Sequence, residues 1–521
     1  MPLQENCNFF SKLALLQLNQ NKYDAKLNLY YKQNKGFFIM NEQPSGIQLE
    51  MNFDTPSGNR FRQCLGHGVF NVLFEVTAPG CELPDEEAAA RLAVLEKTVL
   101  NSKTVPCALA ITDRYWSDKH RTALDYAALL PEKNRNSHVV YLSGRNADGN
   151  NMRGMLAEAR SLNIANLVAV SGTSRSGETA RQLRKMAFTE SVDTLQMIKS
   201  TNNALFFPGA VVNAHQYNAP GLYASIFKLI KKFNSGAEFA VTQAGFDMAQ
   251  LDALRTYLAW RGYHQPLVAR LMILTPEKVD RITAGELPGI NISKDFLDIL
   301  NKELRFSASQ FEAAQYRRLE LQAAGCKLLG YNAIQISGVD SAEKMRIAIS
   351  RIERALKEFT NLAQWAEEYK FYMARSDMAP REKDFYLFEK LLAPHNANAP
   401  APALTEFNIA ELNWHQRFAD KARRFLFPEA DTQPPHERMW LKKLLAGCQG
   451  CNNCRLPQTQ FHCPELCPKG LANGPCGGVR NNGCCEVGNF SCVHLQIWHA
   501  AQRNKMCDQL ENDIVESGFP E

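Results

Sequence analysis

From Val69 to about Phe359 short apolar runs alternate with amphipathic stretches, the pattern of βαβ units feeding a parallel sheet. Eight runs stand out: VFNVLFEV (69–76), CALAIT (107–112), HVVYL (138–142), NLVAVS (166–171), GAVVN (209–213), EFAVTQ (238–243), PLVARLMIL (266–274) and NAIQIS (332–337). Helical stretches follow them, such as DEEAAARLAVLEKTVL after the first and NMRGMLAEARSL after the third. An open doubly wound sheet would carry a Gly-rich phosphate loop after its first strand, and here that strand runs into FEVTAPGCELP. The pattern therefore predicts an α/β fold, a (β/α)8 barrel of the TIM type. Chemistry in such a barrel gathers at the C-terminal ends of the strands, which brings Glu75, Thr112, Ser171, Thr173, Asn213 and Gln243 to one mouth.

Outside this region the pattern changes. Residues 1–50 begin with an Asn-, Lys- and Tyr-rich stretch and read as an N-terminal extension: either an amphipathic tail or the product of a start placed upstream of Met40 or Met51. The barrel is assigned to 51–359, and 360–440 to a helical connector with mixed aromatic and charged spacing. The breaker run HNANAPAPAL (395–404) is its expected flexible point. Residues 441–521 form a small cysteine-rich domain. A chain of 521 residues needs more than one core, which agrees with this division.

Composition narrows the class. An apolar fraction of 45% with 22% charged residues is that of a globular protein. The net charge of +5 is spread without Lys/Arg blocks, so it marks neither a nucleic-acid nor a membrane-surface partner. No run reaches the roughly 18 apolar residues of a membrane span, and the expected location is cytoplasmic.

Cysteine usage is the strongest chemical signal. Of 15 cysteines, ten lie between Cys448 and Cys507, and in a reducing compartment such density indicates a metal site rather than disulfides. The candidate ligands are Cys448, Cys451, Cys454, Cys463, Cys467, Cys476, Cys484, Cys485 and Cys492, with Cys507 outside the motif. Spacings of two or three residues, with Gly and Pro between, let thiolates fold back onto one ion or cluster. Nine thiols exceed one tetrahedral site, and the Cys-Pro pairs at 463–464 and 467–468 often flank cluster ligands, so an iron–sulfur cluster is favoured over zinc.

The string CPKGLANGPCGG, then CCEV and SCVHLQIW, resembles the C-terminal cysteine domain that accompanies methylenetetrahydrofolate reductases of bacterial one-carbon pathways. FEVTAP (74–79) and GAEFAVTQAGFD (236–247) resemble the first-strand and sixth-strand motifs of that family's barrel. The resemblance implies a flavoprotein, with FAD or FMN, that reduces methylenetetrahydrofolate to methyltetrahydrofolate. Electrons would come from NAD(P)H, a ferredoxin or another electron-donor protein, and a homo-oligomer is compatible with it. It implies Glu75 as general acid, holding a proton near neutral pH in a partly desolvated mouth. Gln243 and Asp247 are implied at the folate, and Thr112, Arg145, Ser171, Thr173, Asn213 and Lys232 around the flavin.

The sequence also departs from the family pattern. The fourth strand ends in VSGTSRSGE, so Thr173 stands where relatives carry the Asp of a Gly-Asp pair, and a negative charge beside the flavin is lost. YLSGRNADGNN keeps Arg145 among altered neighbours, and the Asn of VVNAHQYN is similar to the branch that carries the cysteine domain. The Thr173 change opens a second reading, a folate-binding barrel without redox chemistry that serves beside a corrinoid methyltransferase.

Overall fold

The computed structural model describes residues 58–113, 121–201, 205–373, 414–427, 439–451 and 453–516. Every described residue lies in one compact unit, Pro56–Glu521. The N-terminal extension and the breaker run 395–404 lie outside the described residues.

Eight parallel strands close into a barrel in sequence order: β1 (Asn71–Thr77), β2 (Cys107–Thr112), β3 (Val139–Ser143), β4 (Asn166–Val170), β5 (Phe207–Val212), β6 (Phe239–Thr242), β7 (Leu267–Met272) and β8 (Ala333–Ser337). All eight coincide with the apolar runs of the sequence to within a few residues. Closure is direct, with Asn71 opposite Ala333 and Phe74 opposite Ile336. Strand periodicity sorts the side chains: along β5, Phe207 and Val211 point inward while Ala210 and Val212 face the surrounding helices.

The sequence pattern did not reveal the floor of the barrel. A short helix, Arg60–Gly66, capped by Asn59, inserts Phe61 and Leu65 into the interior. The Phe61 ring meets Phe239 edge-on at 5.4 Å, and Phe239 stacks on Phe207 at 4.9 Å. This aromatic layer closes the N-terminal end and leaves the C-terminal end for chemistry. At its centre Gly209 is required by contact: an added Cβ would lie 2.3 Å from the Phe239 ring.

The helix Leu362–Tyr372, assigned to the connector, belongs instead to the barrel body. Trp365 and Tyr369, four residues apart, are both fully buried and stacked at 4.9 Å. Trp365 Nε1 donates to Leu321 O at 2.6 Å, and the Tyr369 hydroxyl donates to Phe246 O at 3.0 Å. Of the rest of the connector, the helix Trp414–Leu426 is described, together with the helix Met439–Ala446 that leads into the cysteines. No helix among the described residues is long and apolar enough to cross a membrane.

Gly209→Ala should overpack the aromatic floor and cost about 1–3 kcal/mol. A thermal melt of the full chain checks this, and an unchanged midpoint would contradict the close contact.

Candidate functional site

Above the floor the barrel interior turns polar. Glu75, at an inward position near the end of β1, accepts from Arg270 Nη2 at 2.6 Å, Ser337 Oγ at 2.6 Å and Gln335 Nε2 at 3.0 Å. Gln335 in turn accepts from the Tyr141 hydroxyl at 2.6 Å. Arg270 also donates to Gln243 Oε1 at 3.1 Å, which leaves Gln243 Nε2 with no protein partner among the described residues. Burial alone would push the Glu75 pKa up. The Arg270 charge and the three hydrogen bonds outweigh it and hold the carboxyl below the usual carboxylate range. Glu75 therefore rests as an anion, not with the retained proton expected of it. The missing piece was Arg270, together with Tyr141, Gln335 and Ser337. Its signal was present in the sequence as a lone cation inside the apolar run PLVARLMIL.

The other expected residues divide between the rim and the seam with the cysteine domain. Thr112 lies on the rim, its hydroxyl 3.5 Å from that of Thr77. Arg145 is paired with Glu178 and donates to the Thr173 carbonyl at 3.0 Å, so both are tied into the loop after β4. Ser171 Oγ donates to Ser191 Oγ at 3.2 Å and accepts from the Ser191 amide at 2.9 Å. Lys232 Nζ is buried and bonded to Val211 O at 2.6 Å. Asp247 is a buried helix cap that accepts from Ala249 N at 3.0 Å. Asn213 Nδ2 donates to Gly477 O at 2.7 Å and to Gly289 O at 3.1 Å, so it holds the cysteine domain. Arg145, Ser171, Asn213 and Lys232 thus each bond within the protein, although Arg145 Nε is buried without a hydrogen-bond partner among the described residues.

The cysteine domain sits on the β4–β5 side of the mouth. Its anchor is Glu190, fully buried after β4, paired with Lys228 at 2.6 Å and accepting from the amides of Ala472 at 2.9 Å and Asn473 at 3.2 Å. Lys228 Nζ also donates to Gly474 O at 2.9 Å, and Lys469 Nζ donates to Gly172 O at 2.8 Å. Gly474 (φ +140°) admits no side chain, because a Cβ there would lie 2.9 Å from that of Lys228. Trp498 stacks on Tyr223 at 5.4 Å and extends the seam. Burial opposes the Glu190 charge, but Lys228 and the amide donors win and lower its pKa to about 2. Beside this seam His215 keeps both ring nitrogens buried without a hydrogen-bond partner among the described residues. Burial lowers its pKa to about 4, so it stays neutral.

The thiols fall into two sets. Cys448, Cys451, Cys454 and Cys463 line one cavity of about 430 Å³, including its open side, with Lys442 and Arg455. Cys467, Cys476, Cys485 and Cys492 form the second set. Burial is the main cause of a raised pKa in each, and each also feels at least one of the other three thiols. Cys484 stands apart, its residue bridged to Ser491. Among the described residues no three Cys, His, Asp or Glu side chains are arranged to hold a single metal ion.

The fold and site define a TIM-barrel enzyme body with an acid-bearing mouth and a docked thiol module. Residues 60–308 match the family model of methylenetetrahydrofolate reductase, and residues 427–518 match that of the methylene-tetrahydrofolate reductase C terminal. The chain belongs to this family in its fused form, barrel and C-terminal domain together, and the family's role is folate one-carbon reduction. None of the curated proteins compared with it matches. One similar solved structure is described as an uncharacterized protein from Clostridium thermocellum that binds two copies of 5-methyl-5,6,7,8-tetrahydrofolic acid. The likeness is 13% identity over 57% of this chain and 99% of that one, with a TM-score of 0.39.

Glu190→Gln leaves Lys228 buried without its counter-charge and should cost about 3–5 kcal/mol. The native pair contributes stability above the ordinary Glu pKa and loses it as pH falls toward about 2. Acid titration of wild type and variant, followed by thermal melting, should show the wild-type advantage shrinking on that descent.

Proposed function

We propose that the barrel reduces 5,10-methylenetetrahydrofolate to 5-methyltetrahydrofolate, as an oxidoreductase acting on a CH–NH group. Cys448, Cys451, Cys454 and Cys463 in the cysteine domain would hold a thiolate-bound metal centre, which would supply the barrel with electrons from NAD(P)H, a ferredoxin or another donor protein. The observation that supports the folate site is the Glu75 cluster at the C-terminal end of the barrel. The Gln243 amide offers Nε2 to an acceptor on the pterin edge while Arg270 fixes its oxygen. With folate bound beside the cluster, the Glu75 anion would stabilise the positive charge that develops when the methylene bridge opens to an iminium. To act as general acid Glu75 must first take a proton, and Arg270 opposes this. Movement of the guanidinium away from Glu75 as folate enters would raise its pKa. Arg270 thereby sets when the proton is held.

For the metal centre an iron–sulfur cluster is preferred to zinc. Four thiols around a cavity suit a cluster better than one ion, which needs sulfurs about 2.3 Å from a common point. Cys448, Cys451, Cys454 and Cys463 are the proposed ligands of that centre.

FAD or FMN remains the family's expected carrier, yet Arg145, Ser171, Asn213 and Lys232 are bonded elsewhere, so no step is assigned to it. This observation favours the second reading, a barrel that binds folate without redox chemistry beside a corrinoid methyltransferase. The test is the visible spectrum and the iron, zinc and flavin content of anaerobic full-length protein, with titration by methyltetrahydrofolate. A band bleached by reductant and restored by methylenetetrahydrofolate supports reduction. Colourless protein that binds methyltetrahydrofolate supports the second reading, and protein that binds no folate defeats both.

Glu75→Gln should lower reduction by about 10²–10⁴-fold, the usual worth of a positioned proton donor. Equilibrium binding of methyltetrahydrofolate measured alongside should change far less, and equal losses in both would make Glu75 a binding residue only.

A further inference from the structure

Two helices before the first cysteines carry a face of large, exposed apolar side chains. In the helix Trp414–Leu426, at about 100° per residue, Trp414, Arg417, Phe418, Lys421 and Phe425 fall within roughly 100° of one another. Trp414, Phe418 and Phe425 are 70%, 71% and 85% exposed. The helix Met439–Ala446 packs against it and shows Trp440 and Leu444, 68% and 74% exposed, one turn apart with Lys443 beside them. The opposite faces are spent on folding: Phe427, Leu441, Leu445 and Ala446 pack with Leu456, Phe461 and Cys463. Exposed large side chains scattered singly are ordinary, but five on two packed helices are not.

Charge indicates what covers this face. Arg417, Lys421 and Lys443 are exposed among the apolar side chains, and the helices contain one acid, Asp420, which is bonded to Arg424 at 3.0 Å. A second copy of the same face would set cation against cation. An acidic surface with an apolar centre complements it. Position indicates the partner's purpose. The second helix ends two residues before Cys448, and Lys442, on its inner side, lines the cavity of Cys448, Cys451, Cys454 and Cys463.

We propose that this helix pair is the docking face for an acidic electron-carrier protein, which gives one electron at a time to the centre held by those four thiols. The electron-transfer part rests on the metal centre proposed above; the docking part does not.

The test uses anaerobically purified full-length protein and a reduced acidic flavodoxin as probe. Phe418→Ser/Phe425→Ser and Lys421→Glu/Lys443→Glu change exposed side chains alone, and unchanged thermal melting confirms that both variants fold. Flavodoxin binding should weaken about ten-fold or more in each variant, and binding to wild type should weaken as salt is raised. Reduction of the metal centre by flavodoxin should slow in parallel, while reduction by dithionite, which needs no docking, stays the same. Equal flavodoxin binding in wild type and variants overturns the proposal. So does a wild-type dimer in sedimentation that Phe418→Ser/Phe425→Ser dissociates, or a face protected from labelling in the free protein and exposed when residues 374–413 are deleted. Weakened binding in the variants with no dithionite-reducible centre would uphold the docking face and defeat the metal reading instead.

Discussion

The ion pair between Glu190 and Lys228 is the constraint on which the two-module arrangement depends. Two charges removed from water are tolerable only when further hydrogen bonds satisfy them, and here the donors come from the cysteine domain through the amides of Ala472 and Asn473. Neither half of the seam is therefore complete alone. A barrel without the domain would leave Glu190 short of donors, and the domain without the barrel would lose the partners of Gly474 and Gly477. The glycines of the GPCGG segment follow from this closeness, since Gly477 takes φ +87° while its carbonyl faces Asn213.

This arrangement also changes the meaning of residues that looked like a cofactor site. Ser171, Thr173, Asn213 and Arg145 do cluster beyond the ends of β3, β4 and β5, as strand periodicity requires. Their bonds, however, go to loops and to the cysteine domain. Polar residues at a barrel mouth can serve a ligand or a neighbouring domain, and hydrogen-bond partners, not positions, tell the two apart.

The fold was legible because strands buried on both faces leave unbroken apolar runs that survive any detail of packing. The inward position of Glu75 near the end of β1 was legible because its motif and its place in the strand agree. Its ionisation was not, since that depends on Arg270, 195 residues along the chain and brought opposite only when β7 closes on β8 and β8 on β1. The floor helix was missed for a similar reason: RFRQCLG carries few periodic positions, and its two anchors acquire meaning only from Phe207 and Phe239. Trp365 and Tyr369 were read as part of a linker because aromatic residues mixed with charges look alike whether or not a barrel helix lies beneath them.

The sealed floor bears on molecular traffic through the barrel. Phe61 closes one end, and the cysteine domain stands over the β4–β5 side of the other and reaches the loop after β7, where Asn481 donates to Asn291, so the Glu75 cluster of β1, β7 and β8 is bounded by both. On the proposed function, substrate arrival and product departure would share the part of the mouth that the domain leaves. On that reading, whatever occupies it after turnover delays the next molecule.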